Sequence, residues 1–380
     1  MRLATLVALT ACLPAAAQVI VNPSRLRMGT AIFDAQPGEA ILHCDVTPLR
    51  PGLDYGFRFQ AGYRVSAQAG QFTGTGHGWT VLMRITPRAG EQKPVYLLSR
   101  QRLPEVPKTN ATLQFFGGYL LGEGAYDVSW AMVDDRSRVC RKTWHVDVHR
   151  SRSERLVKVA MPRDTVWDVS LRGTRVLPRE VDDAAPLRLT ILLNAAPMFP
   201  RRMRLRPGDV ANLISAVSSL LERVPTRQVR LVVFNLEQQK ELYRSADFVL
   251  EKMPEVAQTM YGLELNTVDF QVLQNRRGHV ELLADIVNQE LAQEHPSDVV
   301  LFIGPMSRYL DRVPSNALEK TRPAAPRFLN FQMTPNVPMS STLPDVVRSA
   351  VSKLGGKTEV IRSPGEFARA IARLEKLPLQ

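Results

Sequence analysis

Apolar and polar positions change their period part-way along the 380-residue chain, near residue 187. Before about residue 150 the apolar residues come in short runs that alternate with polar ones, the two-residue period of half-buried strands. Residues 40–46, 55–59, 79–85, 125–133 and 140–148 read this way, with turn signals at Pro51-Gly52, Gly117-Gly118 and Asp134-Asp135 between them. In the last run Trp144, Val146 and Val148 share one face, and His145, Asp147 and His149 the other. Many short strands with little helical periodicity predict an all-β sandwich of immunoglobulin-like kind over residues 18–150.

Residues 151–186 read as a linker, with a basic start, one or two short strand-like runs and the polar exit Asp182-Asp183. From residue 187 apolar strands alternate with amphipathic helices, the pattern of a parallel α/β sheet. Strands are predicted at 187–193, 229–234, 298–303, 328–333 and 357–362, with 264–273 ambiguous. Helices are predicted at 209–223, 279–294, 344–354 and 365–376. The first carries Val210, Leu213, Ile214, Val217, Leu220 and Leu221 on one side, and the third stops at Gly355-Gly356, a helix-ending signal. No internal repeat is present.

The length allows two cores, and 44% hydrophobic with 23% charged residues is a globular composition. Beyond the N-terminus no apolar run of about 18 residues occurs, so no mature transmembrane helix is expected. The start is different. Met1-Arg2, an apolar core from Leu3 to Leu13 and the small residues Ala15-Ala16-Ala17 before Gln18 read as a secretory signal over residues 1–17. An alternative uses Leu9-Thr10-Ala11-Cys12 as a lipoprotein box, with anchoring through Cys12. If Cys12 leaves with the signal, Cys44 and Cys140 remain, an even pair that an oxidising compartment turns into a disulfide; two buried thiols are the other reading. The net charge of +12 favours an acidic partner without choosing one. Nucleic acid is a poor fit, because the basic residues lack interleaved aromatics and the chain is expected to be exported.

Three segments of the second half carry a family resemblance. "VRLVVFNLEQQKELYRSADF" from Val229, "SDVVLFIGPMSRY" from Ser297 and "SPGEFARAIARL" from Ser363 are similar to the second strand and hairpin, the fourth strand and the ending of a von Willebrand factor type A domain, of the acidobacterial VWFA-related kind. The resemblance covers about 187–374 and implies a Rossmann-like open α/β sheet for 187–380. It also implies a metal-ion-dependent adhesion site, an Asp-x-Ser-x-Ser turn plus an Asp after the fourth strand. Here Asn194, Ala196, Met198 and Gly304 stand at those places, with Thr267 as a loose counterpart for a bridging Thr. One neutral amide oxygen cannot supply the charge that a hard divalent cation needs, so the site reads as degenerate.

Other chemistry is sparse. Arg201, Arg202, Arg204 and Arg206 follow the first strand of this half, and Arg308 and Arg312 follow the fourth, so these loops are candidates for gripping a carboxylate or phosphate. Asn194, Arg201, Arg202, Arg204, Arg308 and Arg312 are therefore the candidate binding set. His145, Asp147 and His149 are weak metal candidates at strand spacing, set against a solvated edge strand. Gly74-Thr75-Gly76-His77-Gly78 does not join a strand to a helix, so it is no phosphate cradle. No G-x-S-x-G and no assignable nucleophile is present. The expectation is an exported, non-catalytic binding or scaffolding protein without cofactor, whose partner is a protein or an acidic envelope component. A metal-dependent adhesion module with replacement ligands and an extracytoplasmic hydrolase remain as alternatives.

Overall fold

Phe59, Ala61, Tyr63, Val65 and Ala67 are buried while Gln60, Arg64 and Gln68 between them reach outward, a strand that sorts one apolar face inward. That sorting recurs through the first of two compact units, Met1–Gly173 and Thr174–Gln380. The structure is a computed structural model and describes residues 18–25, 29–35, 37–89, 93–169, 187–199, 202, 204–263, 272, 274–314, 316–319, 326–335 and 344–377. The expected signal (1–17), Cys12, Arg201 and Thr267 lie outside these.

The first unit holds β1 (Val19–Val21), β2 (Cys44–Leu53), β3 (Phe59–Gln68), β4 (Gly78–Pro87), β5 (Val95–Arg102), β6 (Thr112–Leu121), β7 (Gly124–Asp134), β8 (Val139–Val148) and β9 (Val166–Asp168). They form a sheet in the order β1-β5-β4-β7-β8 and another in the order β2-β3-β6-β9, with antiparallel neighbours throughout. One core joins their inner faces, including Tyr63, Trp79, Met83, Tyr119, Trp130 and Met132. Each such side chain contributes roughly 1.5–3 kcal/mol by leaving water. Cys44 and Cys140 are disulfide-bonded, tying edge strand β2 to edge strand β8 across 96 positions of sequence.

Two local readings of this half fail for physical reasons. Gly117-Gly118, read as a turn, lies inside β6. Gly117 is opposite Tyr63, and a Cβ at residue 117 would come within 2.2 Å of the Tyr63 ring, so the glycine makes room for the tyrosine. Of residues 55–59, read as a strand, 55–58 form a turn and Phe59 opens β3. Phe57 has φ 57°, and the Asp54 carboxylate accepts from Arg58 N at 2.9 Å. The expected linker is also shorter. Its part up to residue 169 belongs to the first unit, where β9 pairs with β6 and Val157, Met161 and Val166 are buried.

The second unit holds β10 (Leu187–Asn194), α1 (Pro207–Arg223), β11 (Thr226–Asn235), β12 (Lys240–Ser245), α2 (Met253–Tyr261), α3 (Gly278–Leu291), β13 (Val299–Pro305), β14 (Arg327–Met333), α4 (Val346–Lys353), β15 (Lys357–Ile361) and α5 (Pro364–Glu375). Its sheet runs β12-β11-β10-β13-β14-β15, with β12 antiparallel and the other pairs parallel. Every residue of β13 is buried, as expected of a strand covered on both faces. Beneath the sheet, Glu290 of α3 is 1% exposed and is met by Thr190 Oγ1 at 3.0 Å, Arg244 at 3.3 Å and Arg230 at 3.6 Å.

The expected fold class is thereby corrected. The chain is mostly β, 39% strand against 25% helix in three sheets, without a clear Rossmann-like layout of von Willebrand factor A type. The regular strand–helix alternation fails where β11 turns back directly into antiparallel β12. It fails again between β13 and β14, where no helix occurs among the described residues.

Candidate functional site

The exit of β10 is where an open sheet of this kind would hold a ligand. After Asn194 the chain turns through Ala195, Ala196, Pro197 and Met198, all buried. Backbone bonds fix the turn: Ala195 N donates to Phe234 O at 2.8 Å, and Asn235 Nδ2 to Ala195 O at 2.6 Å. Asp209, at the start of α1, closes the loop from the other side. Its carboxylate accepts from Met198 N at 3.3 Å and Arg206 N at 2.9 Å.

Asn194 itself is 4% exposed. Its Nδ2 donates to Pro305 O at 3.4 Å, and its Oδ1 has no hydrogen-bond partner among the described residues. Two voids of about 10 Å³ flank it, one toward Leu236 and Glu237, the other toward Gly304, Gln332 and Asp345. Each is the size of a single water, too small for a substrate. Gly304 packs against the same residue with φ 149°, and a Cβ there would stand 2.8 Å from Asn194 O and 2.9 Å from Asn194 Cβ. A side chain at residue 304 therefore cannot point into this site without moving β10.

The acids nearby serve the fold. Asp345 caps α4, accepting from Arg348 N at 2.8 Å, Ser307 N at 2.7 Å and Gln332 Nε2 at 3.0 Å. Burial pushes its carboxyl above the ordinary aspartate value, while those donors pull the other way. Glu237, at the exit of β11, is likewise raised by burial and faces Arg308 at 3.1 Å. Among the described residues no group of three or more His, Cys, Asp or Glu is arranged to hold a metal.

The candidate arginines do not converge as free guanidinium forks. Arg202 lies 3.8 Å from Asp209 and stacks over the Phe199 ring at 4.1 Å. Arg308 faces Glu237 and the Tyr309 ring. Arg204 and Arg312 are exposed. The expected anion-gripping edge is thus half neutralised by its own carboxylates.

His145 and Asp147 on β8 and His149 just past its end are exposed, and none belongs to a metal-holding group among the described residues. His145 instead lies against Asp127 and Arg88, which pair at 2.8 Å. The Arg88 hydrogen bond is the largest cause holding the Asp127 carboxyl below its ordinary value. The glycine-rich turn is a bracket: Gly74 exchanges backbone bonds with Val106, and His77 bridges Asp135 at 3.0 Å and Thr73 O at 3.1 Å.

One cavity of the first unit was not legible in the sequence. It is an open groove of about 900 Å³ beside the disulfide, with Ile41, Cys44, Asp45, Ala67, Cys140 and Arg141 in its walls. Ile41 is 69% exposed, and Arg141 holds Glu39 through two contacts of 2.6 Å. The groove draws on segments far apart in sequence. Its one local signal is the apolar run before Cys44.

No family model and no curated protein matches the chain. Solved structures give slight likenesses. A putative ApaA protein from Bordetella pertussis is 14% identical, with 30% of this chain and 99% of that one covered and a TM-score of 0.20. The reduced superoxide reductase (neelaredoxin) of Archaeoglobus fulgidus is 12% identical, with 30% and 93% covered and a TM-score of 0.19. A calcium-binding mutant of Bacteroides uniformis beta-glucuronidase 2 is 9% identical, with 69% and 33% covered and a TM-score of 0.20. At these scores none assigns a fold or an activity. None of the three is a von Willebrand factor A domain.

Proposed function

We propose that this chain is an exported, non-catalytic binding or scaffolding protein that meets a protein partner through its surface, without a bound metal or cofactor. The observation that carries the reading is the sealed exit of β10. The position where an open sheet presents ligands is filled by Asn194, Gly304 and buried apolar residues, with room for single waters only. The disulfide, and the absence among the described residues of a helix long and apolar enough to cross a membrane, are compatible with an extracytoplasmic location.

The groove beside the disulfide is the best described surface for such contact. Its volume suits a bound segment, and Ile41 is an apolar side chain with no cover. The test is capture from an envelope extract by the purified chain, compared with Ile41→Asp and with the pair Arg204→Ala, Arg312→Ala. Loss of a specific partner with the first variant supports protein contact at the groove. Loss only with the second variant transfers binding to the arginine edge and an acidic partner. Calorimetry with Mg²⁺, Ca²⁺ and Mn²⁺ accompanies it, and saturable heat with a thermal shift would overturn the metal-free reading.

A further inference from the structure

His77 ends the glycine-rich turn before β4 and is 8% exposed. Its ring is held from both sides. Nδ1 stands 3.0 Å and 3.3 Å from the two carboxylate oxygens of Asp135, on the turn between β7 and β8, and Nε2 stands 3.1 Å from Thr73 O. A carbonyl oxygen only accepts, so Nε2 donates to Thr73 O. Burial works against charge on Asp135, but hydrogen bonds from His77 and from backbone N–H groups hold its carboxyl below the ordinary value. It is therefore an acceptor as well, and Nδ1 donates to it. A neutral imidazole has one ring N–H and cannot serve both partners.

We propose that His77 is a pH-sensitive clasp of the first unit: its imidazolium closes the turn, and loss of one ring proton releases it. The clasp joins segments that are distant in sequence. Gly74 exchanges backbone bonds with Val106, Leu103 N donates to His77 O at 2.8 Å, and Asp135 N donates to Gly78 O at 3.2 Å. With one ring proton gone, a lone pair faces an acceptor across one of the two contacts, and a buried attraction becomes a repulsion.

The surrounding charges leave the role to one ion pair. Residues 73–76 of the turn hold no other titratable side chain. Asp134 is paired with Arg138 at 2.6 Å. Arg136 on the same turn, Arg102 opposite Gly78 and Glu105 beside Val106 are exposed. Among the described residues, the ion-pair partner of His77 is Asp135. The pH window follows from the two members. The fold favours the charged ring, so the clasp contributes in mild acid and its contribution is lost as rising pH removes the proton. At the acid end it is lost as pH falls through the Asp135 value, which lies below the ordinary 3.8. Trp79, two residues along, packs on Phe72 at 5.4 Å and Phe115 at 4.7 Å and so reports on this corner of the unit.

The test uses the full chain with nitrogen-15-labelled histidine, the His77 signals being assigned by their loss in His77→Gln. In mild acid both ring nitrogens of His77 are expected to carry hydrogen. A folded chain whose His77 has one bare nitrogen there overturns the proposal. Tryptophan fluorescence then follows the thermal midpoint of the first unit from mildly acidic to mildly alkaline pH. In mild acid the wild type should melt above Asp135→Asn by on the order of 5 °C, and the gap should close as pH rises. Asp135→Asn keeps an acceptor for the ring, so it removes the charge with little change of shape. A gap of the same size at every pH, or no gap at all, overturns the clasp.

Discussion

Replacing Gly304 by Ala tests the sealed strand end directly. At φ 149° an L-residue is strained, which costs roughly 1–3 kcal/mol. The new Cβ would also meet Asn194 O at 2.8 Å and Asn194 Cβ at 2.9 Å, both on a central strand hydrogen-bonded on each side. Relieving that overlap costs roughly another 1–3 kcal/mol. Together these come to roughly 2–6 kcal/mol, which lowers the unfolding midpoint of a unit this size by roughly 4–24 °C. Two probes separate the units. All the described α-helices lie in the second, so far-UV circular dichroism follows it, whereas Trp79, Trp130, Trp144 and Trp167 make fluorescence a reporter of the first. The dichroism midpoint should fall. Gly208→Ala is the control, since nothing stands within 4 Å of its Cβ position, and it should leave the midpoint unchanged or raise it. A Gly304→Ala protein that melts with Gly208→Ala would show that the strand end yields to a side chain. The sealed-site reasoning would then collapse.

Reduction of Cys44–Cys140, or Cys44→Ser with Cys140→Ser, should destabilise the first unit by roughly 2–5 kcal/mol, read by tryptophan fluorescence in denaturant. Asp345→Ala strands three donors and should cost the second unit roughly 3–5 kcal/mol. The pH sign follows from its raised pKa. The folded carboxyl keeps its proton where the unfolded one has lost it, so this group's contribution declines as pH rises from the ordinary value of 3.8 through the raised one. Asp345→Asn should flatten that slope, and an unchanged profile would count against burial as the cause. Glu290→Ala leaves Arg230 and Arg244 facing an empty buried site and should cost roughly 3–5 kcal/mol in urea unfolding. Zinc titration should show no site involving His145, Asp147 and His149, and a saturable signal lost on His149→Ala would refute their reading as a solvated edge.

Legibility differed between the two halves because their periods differ in strength. The strand expected at 187–193 is β10 (Leu187–Asn194), and the helix expected at 209–223 is α1 (Pro207–Arg223), since long uniform apolar patterns leave little choice. In the first half β3, β5 and β6 escaped. β6 carries Gly117-Gly118, a turn signal locally, and only the Tyr63 ring opposite explains why the backbone stays extended. Pro51-Gly52 sits within β2 at a register shift, so its turn signal appears as an irregularity of the strand and not as its end. At Gly117 tertiary contact overrode local chemistry. The elements of the second half were readable while their arrangement as a class was not. The hairpin expected from Val229 is β11 with β12, but the crossover from β13 to β14 is a property of a connection, which periodicity does not encode.

The site divides along the same line. That Asn194, Ala196 and Met198 supply too little charge for a divalent cation follows from residue chemistry alone. That nothing else among the described residues fills the gap requires distances, and these make Arg202 and Arg308 partners of Asp209 and Glu237. Gly304 joins the two halves of the argument. Its missing side chain removes a donor from the strand end, and its backbone then packs so closely on Asn194 that the space a donor would need no longer exists. The lack of a side-chain donor and the closed cavity are therefore one structural state, and adding a carboxylate at residue 304 would have to open the sheet before it could bind anything.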